Sequence, residues 1–429
     1  MTPPPKRARS GAWFRQKGPS IGALTLWLLL ILTFAFEFVR LILFVYGVEP
    51  PLIIGFAQYS YITVGSAVIA LSLRHPYWKR SAFGLALIFL VTILFFAPVI
   101  ATTLLRPQYG FLLPLYLLLG FGNAVFAAMG FAFARHGVPN PILFAIWLVM
   151  IIASVPPLIE MASIGFGEAT QVTRMAMHIT VGDLLMFATL LLLIRPMQPT
   201  TRLAVYAISF VALVALGSRT SLYAFAAALP AILLFSGSRR FAWIALPVGL
   251  VVLASVIALA MDFVTGQQAQ ETRMFAFFSD AQEDTAWTGR IFALQLGLAD
   301  IASNPILGSF GSHFDLTGED GSYIHNYLEM WRQFGILPFA LFVALLATAI
   351  AHLLNRREDQ DGSRLYFLAL FGGPILLQVV FSRSYGYPHV FFILGFVAFS
   401  IAASARRTSM LKPLVRSRPG AAGRRPHGL

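Results

Sequence analysis

Residues 21–36 read IGALTLWLLLILTFAF, sixteen positions without a charge, and residues 248–260 read VGLVVLASVIALA. A helix rises 1.5 Å per residue, so about 20 apolar residues span the hydrocarbon core of a bilayer. Runs of this kind recur along the chain. Hydrophobic residues make up 58% of it and charged residues only 11%, with a mean hydropathy of +0.76. A soluble domain has about a quarter of its residues charged, and a chain this poor in charge cannot cover a water-facing surface of ordinary size. The composition therefore predicts an all-α, polytopic membrane protein.

Hydropathy divides the chain into about twelve spans near 20–46, 51–73, 81–105, 110–134, 141–160, 178–194, 201–216, 220–236, 241–264, 336–354, 364–381 and 388–404. Turn chemistry marks the breaks, as at Glu49-Pro50-Pro51, Arg106-Pro107 and Arg195-Pro196. The pair after Thr201 and Thr220 also reads as a single re-entrant hairpin. The basic N-terminus, Lys6 to Lys17, has the outline of a signal peptide. However, its apolar run is too long for one and no small-residue cleavage site follows, so it reads as a retained first helix. With both termini inside, the inner segments carry 23 Lys and Arg residues and the outer segments 7, an alternation that follows the positive-inside rule. This predicts a polytopic membrane protein with cytoplasmic basic tails at 1–19 and 405–429, spans over 20–264 and 336–404, and one long loop on the outer face, 265–335, between spans 9 and 10.

The net charge of +13 sits in tails and short loops, where it serves topology and anionic lipid rather than nucleic acid. There is no cysteine, which excludes thiolate metal sites and cysteine nucleophiles. No nucleotide or zinc motif is present, so no cofactor or metal is expected. Asp359-Gln360-Asp361 is the only D-x-D pattern and falls on the inner side.

A loop of some 70 residues in a compact protein is usually functional. Within it, Ile291, Leu294, Leu298 and Ile301 recur at helical spacing. They predict an amphipathic helix on the membrane surface, opened by Thr288-Gly289-Arg290 and ended by Asn304-Pro305. Gly308, Gly311, Gly318 and Gly321 read as a flexible turn-rich stretch, and Asn326 as the cap of the next helix. The outer face needs few cations for orientation, which draws attention to Arg219, Arg290, Arg332, Arg383 and His325. Arginine forks grip phosphate oxygens, and histidine is suited to deprotonating a hydroxyl. Each has a plainer reading: His325 as a structural or exposed residue, Arg332 and Arg383 as snorkelling cations. Arg219 resists that reading because it sits in a very short turn at membrane depth. Glu37 and Arg40 suit a one-turn ion pair, Asp183 and His178 stand at the outer start of a span, and Asp280, Glu283 and Asp284 read as a solvated acidic cluster.

Three pieces in order resemble the bacterial O-antigen ligase and polysaccharide polymerase family: Gly217-Ser218-Arg219-Thr220 before an apolar run; Thr288-Gly289-Arg290 with Asn304-Pro305-Ile306-Leu307-Gly308 and Gly311; and His325-Asn326-Tyr327-Leu328 with Gly335-Ile336-Leu337. Many members carry Glu two positions before the glycine that opens the following span, where this chain has Gln333. Its glycine pair, Gly308-Ser309-Phe310-Gly311, is also spaced more widely.

The resemblance implies a bacterial inner-membrane protein with a fold of the membrane glycosyltransferase C type and metal-independent, inverting glycosyl transfer on the outer, periplasmic face. The donor would be a glycan on undecaprenyl diphosphate. The acceptor would be another lipid-linked glycan for a polymerase, or lipid A–core for a ligase, with other polysaccharide-assembly membrane proteins as candidate partners. By carry-over His325 is the base, and Arg219 and Arg290 hold the diphosphate; Arg383, Arg174 and Asn326 are candidates for further substrate contacts. A transporter or lipid flippase is the alternative of another class, and it predicts polar residues at mid-bilayer and paired broken helices. A non-catalytic membrane component is a third.

Overall fold

The computed structural model describes residues 20–45, 51–164, 177–234, 285–317, 324, 326–355 and 363–416. Among these residues the structure is helical and has no strands. The first half comprises α1 (Ile21–Val45), α2 (Pro51–Leu73), α3 (Pro76–Arg80), α4 (Ala82–Ile100), α5 (Leu113–His136), α6 (Asn140–Ala153), α7 (Val155–Ile164), α8 (Met177–Leu193) and α9 (Pro199–Leu216). The second half comprises α10 (Arg219–Ala226), α11 (Leu229–Leu234), α12 (Thr285–Ser303), α13 (Ser312–Thr317), α14 (Leu328–Phe334), α15 (Ile336–Leu354), α16 (Ser363–Phe367), α17 (Gly373–Phe381) and α18 (His389–Arg416).

Eight stretches in the described residues are long and apolar enough to cross a membrane. Three shorter apolar helices, Tyr59–Leu73, Ile179–Leu193 and Arg219–Leu233, fall where the sequence predicts further spans. The span expected at 241–264 and the acidic cluster at 280–284 lie outside the described residues, as do 1–19, 417–429 and Asp359 to Asp361, whereas 405–416, expected in the C-terminal tail, continue α18. Tyr206 stacks on Phe225 at 4.5 Å, so α9 and α10 fold back on each other as a helical hairpin around Gly217. Large apolar side chains such as Leu104, Ile21 and Phe381 are about three-quarters exposed, the surface expected of a lipid-facing helix.

At the centre α5 crosses α18 with backbones nearly touching. A Cβ at Gly130 would lie 1.9 Å from the Phe392 carbonyl oxygen, and one at Gly395 1.8 Å from that of Ala127. Small residues at such crossings replace the hydrophobic driving force that lipid does not supply. Two π-turns, Ala101–Leu105 and Leu368–Gly372, adjoin Pro98 and Pro374.

The helix ends fall into two groups, as the predicted alternation requires. At one end, Ser20 meets His136, Arg406 bonds the Tyr77 hydroxyl, Arg195 bonds Asn140, and Tyr366 bonds the Leu193 carbonyl. At the other, Arg106 bonds the Phe310 carbonyl, Tyr109 bonds Asp315, and Asp183 meets Ser221 and Arg383. Every segment predicted as inner or outer in these contacts meets a segment of its own side.

Candidate active site

Two buried polar clusters occupy the end of the bundle that the sequence predicts as outer. The first is built on Asp183, near the start of α8. Arg383 grips this carboxylate with two bonds, Nε to Oδ2 at 2.9 Å and Nη2 to Oδ1 at 3.1 Å. Gln378 of α17 donates to Oδ1 at 2.9 Å, and Ser221 of α10 donates to the same oxygen at 2.5 Å. Ser221 lies 2.8 Å from Ser218 Oγ, in the turn that carries Arg219. Tyr387 donates to Gln378 Oε1. Burial, and then the Asp183 charge, push the Tyr387 phenol well above its ordinary range, so it stays a neutral donor.

The second cluster joins α12, the 304–317 segment and α14. Arg332, 1% exposed, pairs with Asp300 of α12 at 2.7 Å and stands 3.8 Å from Glu329. Asp300 also accepts from Ser312 Oγ at 2.8 Å. Glu329 accepts the Ile324 N–H at 2.7 Å on one oxygen and Gln333 Nε2 at 2.5 Å on the other. Gln333 completes the set: its Oε1 accepts the Gly311 N–H, and its Nε2 stands 3.1 Å from His313 Nδ1. An amide supplies both a donor and an acceptor at one position, and here the glutamine uses both. Burial is the main force raising the Glu329 carboxyl to about 7, opposed chiefly by the charge of Arg332.

An aromatic wall joins the clusters. Tyr385 sits edge-on to Phe334 at 5.4 Å, Phe334 lies against Phe310 at 5.9 Å, and Tyr116 packs on Phe310 at 4.8 Å. Burial raises the Tyr385 phenol well above its usual value, with smaller contributions from Tyr116 and Glu329, which places that hydroxyl beside the second cluster.

The sequence-predicted residues fall as follows. Arg219 is the first residue of α10, on the turn bonded to Asp183. Arg290 lies near the start of α12, the helix that packs on α14. His325 lies outside the described residues, but both its neighbours are held. The Ile324 N–H is bound by Glu329, and the Asn326 side chain accepts the Leu328 N–H at 2.9 Å. Asn326 thus performs capping chemistry, although the helix itself starts one residue later than expected. Arg383 is committed to Asp183. Arg174, and the side chains of His178 and Glu37, lie outside the described set.

Two expectations are corrected. Arg332 does not snorkel; it is buried against Asp300. Helix α12 runs where predicted and turns Ile291, Phe292 and Leu298 outward, as a helix at a membrane surface does, while Ala293, Gly297 and Ile301 pack inward. Small residues let the neighbouring chain approach closely: a Cβ at Gly297 would lie 2.2 Å from Ile324 Cδ1. Gly308 is not part of a loose stretch but is interlocked with Gly335. Both have positive φ, +76° and +80°, and a Cβ at Gly308 would meet the Gly335 nitrogen at 2.6 Å. Gly318 and Gly321 lie outside the described residues.

Sequence reasoning missed Glu329, Asp300, His313 and Gln378. Helical spacing alone signalled one of these contacts, the four-residue step from Glu329 to Gln333. Among the described residues, no group of three or more His, Asp or Glu side chains is placed to hold a metal ion.

The interlocked 304–312 and 332–336 segments are the same pieces that carried the resemblance. Residues 204–343 match the O-antigen ligase family. This O-antigen ligase match covers about a third of the chain and includes Arg219, Arg290 and His325. It supports glycan transfer of the ligase or polymerase type by a multi-pass membrane protein. No curated protein and no solved structure gives a significant match.

Proposed function

We propose that the protein transfers a glycan from undecaprenyl diphosphate to a sugar hydroxyl at the periplasmic face of the inner membrane, in polysaccharide polymerisation. The observation that carries this reading is the O-antigen ligase match over 204–343, which takes in Arg219, Arg290 and His325. In the reaction His325 removes the proton from the acceptor hydroxyl. The oxygen then attacks the anomeric carbon from the face opposite the leaving group, and the bond to the diphosphate breaks with inversion. Arg219 and Arg290 hold the diphosphate and stabilise the negative charge that builds on it. The lipid diphosphate is already activated, so the reaction needs no nucleotide, metal or other cofactor. Twelve spans with both termini cytoplasmic, in a fold of the membrane glycosyltransferase C type, would place this site at the outer leaflet. Transfer to lipid A–core instead of another lipid-linked glycan would make the same chemistry a ligase.

The test is chain extension by the His325→Ala protein in membranes. The reading predicts a loss of 10²-fold or more, the usual contribution of a general base, at an unchanged protein level. Full activity would remove His325 from the reaction.

A further inference from the structure

The first cluster contains a carboxylate that the proposed chemistry does not use. Asp183 is 6% exposed and accepts four bonds, from Arg383 (two), Gln378 and Ser221. Three separate parts of the chain converge on it: α8, α10 and the loop after α17. Only one of them, α10, lies within the segment that matches the O-antigen ligase family. Contact between α8 and the Arg219 turn is also steric. A Cβ at Gly182 would lie 2.4 Å from Ser218 Cβ, so the turn rests directly on the backbone beside Asp183. Ser218 and Ser221 flank Arg219 and are linked to each other at 2.8 Å, and Ser221 passes that link to Asp183 at 2.5 Å. The first residue of a helix that opens directly from a two-residue turn moves with that turn, and a misplacement of about 1 Å in a phosphate clamp can cost about 10²-fold.

We propose that Asp183 is a positioning residue for donor binding: anchored by Arg383 and Gln378, its carboxylate holds through Ser221 the turn that carries Arg219. This rests on the reading of Arg219 as a diphosphate ligand. Under this assignment Arg383 serves the lipid diphosphate indirectly, by fixing Asp183. Ser221→Ala cuts the link to the turn and leaves the ion pair intact, whereas Asp183→Asn weakens the ion pair while keeping an acceptor for Ser221.

The experiment measures binding of undecaprenyl diphosphate to the purified full-length protein and to the Arg219→Ala, Ser221→Ala and Asp183→Asn variants, recording both Kd and the fraction of protein able to bind. Expected are a Kd at least tenfold weaker for Arg219→Ala, about tenfold weaker for Ser221→Ala and weaker for Asp183→Asn, each with an unchanged binding fraction. A merely structural role would lower the binding fraction and leave Kd in place, and that result overturns the inference. So does a wild-type Kd in Ser221→Ala alongside a weakened Arg219→Ala. A wild-type Kd in Arg219→Ala itself overturns the reading of Arg219 and the inference with it.

Discussion

The buried arginines at the two ends of the bundle are satisfied in different ways. At the inner end, Arg195 bonds the Asn140 amide at 2.8 Å, Arg202 lies 5.5 Å over the Tyr366 ring, and Arg364 bonds the Ser404 hydroxyl at 2.7 Å. At the outer end, Arg332 and Arg383 each face a carboxylate at less than 3 Å. The sequence explains the contrast. Of 18 acidic residues, the predicted inner segments hold only Glu358, Asp359 and Asp361, although they hold 23 of 31 basic residues. Inner cations are there in excess for topology and settle on neutral groups. Outer cations are few, and the two buried ones, Arg332 and Arg383, are matched with acids that build structure.

The largest effect that sharpens this contrast should come from Arg332→Ala. Removing one partner of a buried pair costs about 3–5 kcal/mol, so the protein should lose most of its thermal stability in detergent. An unchanged unfolding midpoint would mean that the outer pair is not structural. Next is Glu329. Its carboxyl is raised from 4.5 to about 7 in the folded protein, so its contribution to stability is fully present below about pH 4.5 and is lost as pH rises through about 7. The change is on the order of 3 kcal/mol, and Glu329→Gln should flatten that slope in a thermal-unfolding series from pH 4.5 to 8. Arg290→Lys should then lower transfer about tenfold, because a point charge cannot replace the planar fork; equal rates would take Arg290 out of the site. The smallest effect belongs to the inner end, where Ser404→Ala should cost about 1 kcal/mol or less. A larger loss there would erase the contrast.

Much of the fold was legible because apolar runs of bilayer length and the distribution of arginines are local features, and the helix ends meet as that distribution requires. The site was legible only in part. Arg219, Arg290 and His325 stood out through short motifs that a family resemblance could join. Asp183 and Arg383, 200 residues apart, become partners only when α8 and the loop after α17 meet, and nothing in their neighbourhoods announces it. Arg332 looked like a surface cation because its acid, Asp300, lies on another helix. The large apolar residues of α12 turn outward as its pattern predicts, and the close contact is made by Ala293 and Gly297, small residues that the pattern does not single out. The glycines were recognised, but their interlock across 27 residues was not.

The most direct test of the division of labour at the outer end separates binding from turnover. Wild type, Arg219→Ala, Arg290→Ala and His325→Ala, reconstituted in nanodiscs, would be compared for affinity toward an undecaprenyl-diphosphate-linked glycan and for transfer from it. The result predicted here is wild-type affinity without transfer for His325→Ala, and affinity weakened at least about tenfold for both arginine variants. Normal affinity in the arginine variants, or transfer by His325→Ala, would contradict the assignment of clamp and base.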